Sequence, residues 1–181
     1  MNQLLRRERI YHAGPERGEG HAVLTASQLL PLLAVLLLAP FTAAWLMQLA
    51  YGVPPWAMPL PQAAANALCI ALIYWPLCGL TGQVWLCCCG VHIAAGLWGA
   101  ANCFVNRFRG TPILPWDFSA LGTAADVAGS YQFVPTWQMC LAGALMIALV
   151  CALSLKRVRT RLRLKSWKGR LGWLCAGLAC L

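Results

Sequence analysis

No Asp, Glu, Lys or Arg occurs between Glu19 and Arg107, and none between Asp126 and Lys156. A charge-free block of 87 residues, Gly20 to Asn106, cannot cover a soluble surface, so lipid must be its solvent. A crossing takes about 20 apolar residues for a hydrocarbon core of about 30 Å. The first block therefore holds three crossings with their turns, and the 29 residues from Val127 to Leu155 hold a fourth.

Turn chemistry sets the breaks. The stretch Val53-Pro54-Pro55-Trp56-Ala57-Met58-Pro59-Leu60-Pro61 cannot continue a helix, and Gly79-Leu80-Thr81-Gly82-Gln83 supplies a polar turn. Helices are predicted near 28–50, 63–80, 84–105 and 136–155. Backbone amides in lipid must be bonded within their own segment, and nothing alternates as a barrel strand would. The expected fold class is all-α, a polytopic helical membrane bundle. Residues 1–27 form a tail and 28–155 the four-helix region, with an outer loop at about 106–135. Residues 156–170 form a basic loop, and 171–181 read as the start of a truncated fifth helix. The first apolar run is too long, and too far from the N-terminus, for a cleaved signal core, so it is expected to be retained.

Basic residues stay on the cytoplasmic side of a membrane. Twelve of the fourteen Lys and Arg lie either before residue 20 or between Lys156 and Arg170, which places both clusters inside and requires an even number of crossings between them. The 156–170 run is a topological anchor that attracts anionic lipid; a nucleic-acid role is not expected beside a membrane helix. Leu171 to Leu181 would make a helix about 16 Å long, half of a crossing, with no charged face for lying in the interface. A fifth helix cut in two is the expectation, its missing continuation lying outside.

Candidate chemistry within the spans is sparse. There is no Cys-x-x-Cys pair among ten cysteines, and Cys87, Cys88 and Cys89 point about 100° apart on a helix, so packing is expected rather than a metal. His92 is the one ionisable group of the spans besides thiols and phenols, and reads as a helix-to-helix hydrogen bond. Gln48, Asn66 and Asn102 read as interhelical amides, and Trp56, Trp116, Trp137 and Trp167 as headgroup-level anchors.

The informative region follows the third helix. Pro112 and Pro115 stiffen an extended stretch, and Asp117 is placed to cap a short helix that Gly129 ends. Arg107 and Arg109 emerge at the outer headgroups, where a guanidinium fork binds a phosphodiester; alternatively they pair with Asp117 and Asp126. Trp116 completes the candidate headgroup site.

The segment Arg107-Phe108-Arg109-Gly110-Thr111-Pro112-Ile113-Leu114-Pro115-Trp116-Asp117, with Leu121-Gly122-Thr123-Ala124-Ala125-Asp126-Val127-Ala128-Gly129, resembles the outer loop of the lipoteichoic acid synthase family. The resemblance implies five membrane helices, a cytoplasmic N-terminus and a bacterial plasma membrane. It also implies an external sulfatase-like domain that transfers phosphoglycerol from phosphatidylglycerol to a cell-envelope polymer. That domain would hold a threonine nucleophile and a divalent metal, usually manganese. No sulfatase-like signature occurs on this chain, so no catalytic or metal-binding residue is assigned to it and no cofactor is expected within it. The expected partners are membrane lipids, anionic phospholipid above all, and the chain's own missing extracellular domain. The competing expectations are a small multi-pass transporter or channel subunit, or a membrane scaffold; no internal repeat accompanies Pro31, Pro40 and Pro76.

Overall fold

A computed structural model describes residues 26–120, 134–164 and 166–179. Every regular element among them is helical. Four helices are long and apolar enough to cross a membrane: α1 (Ala26–Tyr51), α2 (Leu60–Thr81), α3 (Val84–Arg109) and α4 (Trp137–Ser154). Two shorter ones follow, α5 (Lys156–Arg161) and α6 (Trp167–Ala179). The multi-pass helical bundle expected from the charge-free blocks is present.

The predicted boundaries shift for identifiable reasons. α2 begins at Leu60 rather than 63 because Pro61 falls in the first turn, where a missing N–H costs nothing. α3 runs past Asn106 to Arg109 and stops where Gly110 adopts a left-handed conformation (φ 75°) and donates its N–H to the Asn106 carbonyl. Thr136 caps α4 by accepting the Met139 N–H at 3.2 Å.

α1 is the central helix, packing on α2, α3 and α4. Its closest approach is to α3, where a Cβ on Gly99 would collide with the Met47 carbonyl oxygen. In lipid, where helix association depends on such van der Waals fit, small residues make this seam possible. Pro40 is tolerated within α1 for a specific reason. A proline leaves the carbonyl four residues earlier without its helical donor, here that of Leu36. The indole N–H of Trp75, from α2, donates to the Leu36 carbonyl at 3.0 Å and satisfies it.

The ends of the bundle differ. One end carries the turn at 82–83 and the connection from α4 to α6, and is called here the basic end. The other carries residues 52–59 and the connection from α3 to α4, and is called the loop end. At the basic end α6 enters antiparallel to α2: Gly177 lies against the Pro76 ring, and the rings of Trp173 and Trp75 are 5.8 Å apart. Arg170 donates to the Gly79 and Leu80 carbonyls, so a cation sits on the negative end of α2. The Leu164 N–H donates to the Gly82 carbonyl at 2.9 Å, and the Arg159 guanidinium lies 4.4 Å over the Trp85 ring. The basic connection is thus bonded to the bundle.

Candidate functional site

The loop end is where sequence-derived site residues meet. α3 delivers Arg107 and Arg109 from its last turn. Arg109 closes on Asp117 with both forks, Nη1 to Oδ1 at 2.7 Å and Nη2 to Oδ2 at 2.6 Å. Its remaining donors reach the Thr111 hydroxyl (3.0 Å) and the Pro112 carbonyl (3.1 Å). The loop from Gly110 to Asp117 is therefore wrapped around one guanidinium.

Asp117 accepts a third bond, from the Leu114 N–H at 2.7 Å, while its own N–H donates to the Leu114 carbonyl. This reciprocal pattern corrects the expected N-cap role: Pro115 opens a 3-10 turn, Pro115–Ala120, and Asp117 sits three residues into it, reaching back to the capping position. The Arg109 guanidinium, then the Leu114 N–H, hold the Asp117 carboxyl below its ordinary 3.8, at about 2. From α3, Asn102 accepts the Ile113 N–H at 2.8 Å, so this amide ties loop to helix rather than helix to helix. The expected continuation of the short helix to Gly129, and Asp126 with it, lie outside the described residues.

Arg107 is used differently. Its one hydrogen bond among the described residues is Nη1 to the Val134 carbonyl, long at 3.4 Å, and its side chain is exposed. It borders a cleft of about 200 Å³ between Tyr51 to Val53, Asn106, Thr136 and Gln138. Trp116 stands exposed above the same end.

Farther into the bundle, the seam between α1 and α4 opens as a groove of about 320 Å³, walled by Trp45, Leu49, Leu145 and Leu149. Its deep end is the pair Thr42 and His92. His92 Nδ1 lies 2.7 Å from the Cys88 carbonyl, which only accepts, so that nitrogen carries the proton of a neutral ring. Nε2 lies in hydrogen-bond contact with the Thr42 hydroxyl at 2.9 Å, the helix-to-helix bond expected of this histidine. Both ring nitrogens are satisfied, and the ring is 3% exposed. A third hollow, about 380 Å³, lies between α1 and α2 at the loop end, with Gln48, Gln62 and Asn66 in its wall.

The thiols divide as their positions dictate. Cys78, Cys87, Cys88, Cys89 and Cys103 are buried among helices, whereas Cys69, Cys140 and Cys151 face outward, so the packing role holds for the first group alone. Among the described residues no three His, Cys, Asp or Glu side chains gather as a metal would require.

No family model, curated protein or solved structure matches this chain.

The described residues of the loop end and the seam beneath it thus offer a wrapped loop, a guanidinium at a cleft that no described carboxylate bonds, and an apolar groove. Sequence reasoning found the two arginines but not their division of labour, because which guanidinium meets Asp117 depends on how the chain turns at Gly110. It missed the groove altogether, because Trp45, Leu145 and Leu149 are apolar residues among many.

Proposed function

We propose that this chain is the membrane part of a phosphoglycerol transferase resembling lipoteichoic acid synthases, anchored in a bacterial plasma membrane. Residues 1–27 and the basic end lie on the cytoplasmic side, and the loop end faces out. The transfer itself belongs to an external domain, which the loop end supplies with phosphatidylglycerol. In that reaction an acceptor hydroxyl oxygen bonds to phosphorus and the bond from phosphorus to the diacylglycerol oxygen breaks. The hydroxyl proton ends on the departing diacylglycerol. No group of this chain takes part in those steps.

The observation that carries the reading is the state of the loop that resembles the family. Arg109, Asp117 and Asn102 fasten it to α3 as a shaped surface at the headgroup level, with Arg107 beside it. Arg159 and Arg170, which hold the α4 to α6 connection and the start of α6 to the bundle at the opposite end, support the orientation.

The test is diacylglycerol release from vesicles of phosphatidylglycerol by the full reading frame that contains this chain. Arg107→Gln should lower release at limiting lipid about tenfold, the worth of one charge-assisted hydrogen bond, with membrane insertion unchanged. A reading frame with no external transferase domain and no diacylglycerol release would overturn the reading.

A further inference from the structure

We propose that the seam of α1, α3 and α4 at the loop end is a binding site for one anionic phospholipid, its phosphate on Arg107 and one acyl chain in the groove that ends at His92. The inference rests on the preceding reading only for which anionic headgroup is preferred.

Three observations converge. The cleft at Arg107 and the groove above Thr42 and His92 are both lined from α1, α3 and α4, and both meet the connection from α1 to α2, at Val53 and at Pro55 respectively. Arg107 and Arg109 differ in what their forks already hold. Arg109 is closed on a carboxylate, while Arg107 has a single 3.4 Å bond to a carbonyl, and among the described residues no carboxylate bonds it. A planar fork with free donors at the headgroup level matches a phosphodiester oxygen pair.

The third observation is length. Arg107 and His92 are fifteen residues apart on one helix, a rise of about 22 Å at about 1.5 Å per residue. In a bilayer the phosphate lies about 20–22 Å from the midplane, being half of a core of about 30 Å plus a headgroup layer of about 5–7 Å. A lipid whose phosphate touches Arg107 therefore ends its chain at the depth of His92. The two bonds of that imidazole leave no polar donor or acceptor of the ring demanding water, so a hydrocarbon end meets a satisfied surface. A charge-free lipid with no phosphate would leave Arg107 unmatched, a choline headgroup would bring a second cation beside its guanidinium, and a free phosphate would leave the groove unexplained.

The test uses the purified chain in phosphatidylcholine vesicles with a phospholipid carrying a photoactivatable diazirine at its chain end. A phosphatidylglycerol probe should label the segments containing Trp45, Leu145 and Leu149 about tenfold more than a phosphatidylcholine probe does. Arg107→Gln should remove that preference and Arg107→Lys should retain part of it. Leu145→Trp, which fills the groove, should cut labelling by either probe. Excess soluble glycerol 3-phosphate should not compete; competition would assign the cleft to free phosphate and overturn the proposal. Labelling spread evenly over the lipid faces of α1 to α4, or a preference unchanged in Arg107→Gln, would also overturn it. Equal labelling by phosphatidylserine would keep the site and count instead against a phosphatidylglycerol-transferring parent.

Discussion

The basic half and the loop half of the bundle are built from the same four helices and packed in opposite ways. The basic half buries one cluster of eleven residues, including Tyr74, Cys78, Cys87 and Cys88, and adds α6 against α2. Among the described residues the loop half buries a cluster of four, Leu46, Leu49, Ala50 and Ala142, and has hollows on both sides of α1. In lipid, apolar residues gain nothing from leaving water, so tight fit is what holds helices together. The basic half is therefore the larger clamp, while the loop half is held where α1 and α3 touch at Gly99 and keeps hollows on both sides of α1 that can admit a guest.

The largest effect is expected where the backbone of α6 stands against α2. A Cβ on Gly79 would stand 2.7 Å from the Arg170 carbonyl oxygen and 2.8 Å from the Leu174 nitrogen. Gly79→Leu should push α6 off α2 and cost about 3 kcal/mol, the upper end of ordinary overpacking, read by forced unfolding in bicelles. A cost near zero would mean that α6 does not pack there. Trp75→Phe comes next, at about 2 kcal/mol, because it strands the Leu36 carbonyl that Pro40 has already released. Restoration of stability by a second change, Pro40→Ala, would show the cause to be that carbonyl; no restoration would contradict it.

Thr42→Val tests the border between the halves. It removes one interhelical bond to His92 from a site that lines a groove, and about 0.6 kcal/mol is expected, the average for such bonds in membranes. A loss several times larger would mean that the loop half is clamped as firmly as the basic one. The smallest effect on the bundle should come from the Arg109 and Asp117 pair, which is exposed and shapes the loop rather than holding helices. The folded-state carboxyl is depressed from 3.8 to about 2, so its contribution is complete above about pH 4 and is lost as pH falls toward 2. Trp116 fluorescence should follow that window while α1 to α4 keep their helical signal, and Asp117→Asn should abolish the transition. A transition near neutral pH would exclude this carboxyl as its source.

The helices were legible in the sequence because charge and proline are one-dimensional signals: two blocks without charge, the first punctuated at Pro54, Pro55 and Gly82, leave few places for a crossing to begin or end. The Arg107 to Asp117 loop stood out in the sequence for the same reason, its residue types being rare beside lipid. The partner of each arginine was not, since both stand within reach of one aspartate and only the left-handed turn at Gly110 decides between them. Nor was the fit of Trp75 to the carbonyl freed by Pro40, because it joins residues 39 positions apart on different helices. Asp117 carried the right chemistry in the wrong register: Pro115, fit for a first helical position, moved the cap back to Leu114.

The contrast between a closed half and a receptive half is tested most directly by paramagnetic relaxation in nanodiscs, with a nitroxide placed along one acyl chain of phosphatidylglycerol. A label near the chain end should broaden the amide signals of Trp45, Leu145 and Leu149 most strongly, and a label near the glycerol should broaden those of Arg107 and Gln138. Equal broadening around all four helices, or the strongest effect beside Cys87 and Cys88 in the basic half, would contradict the account.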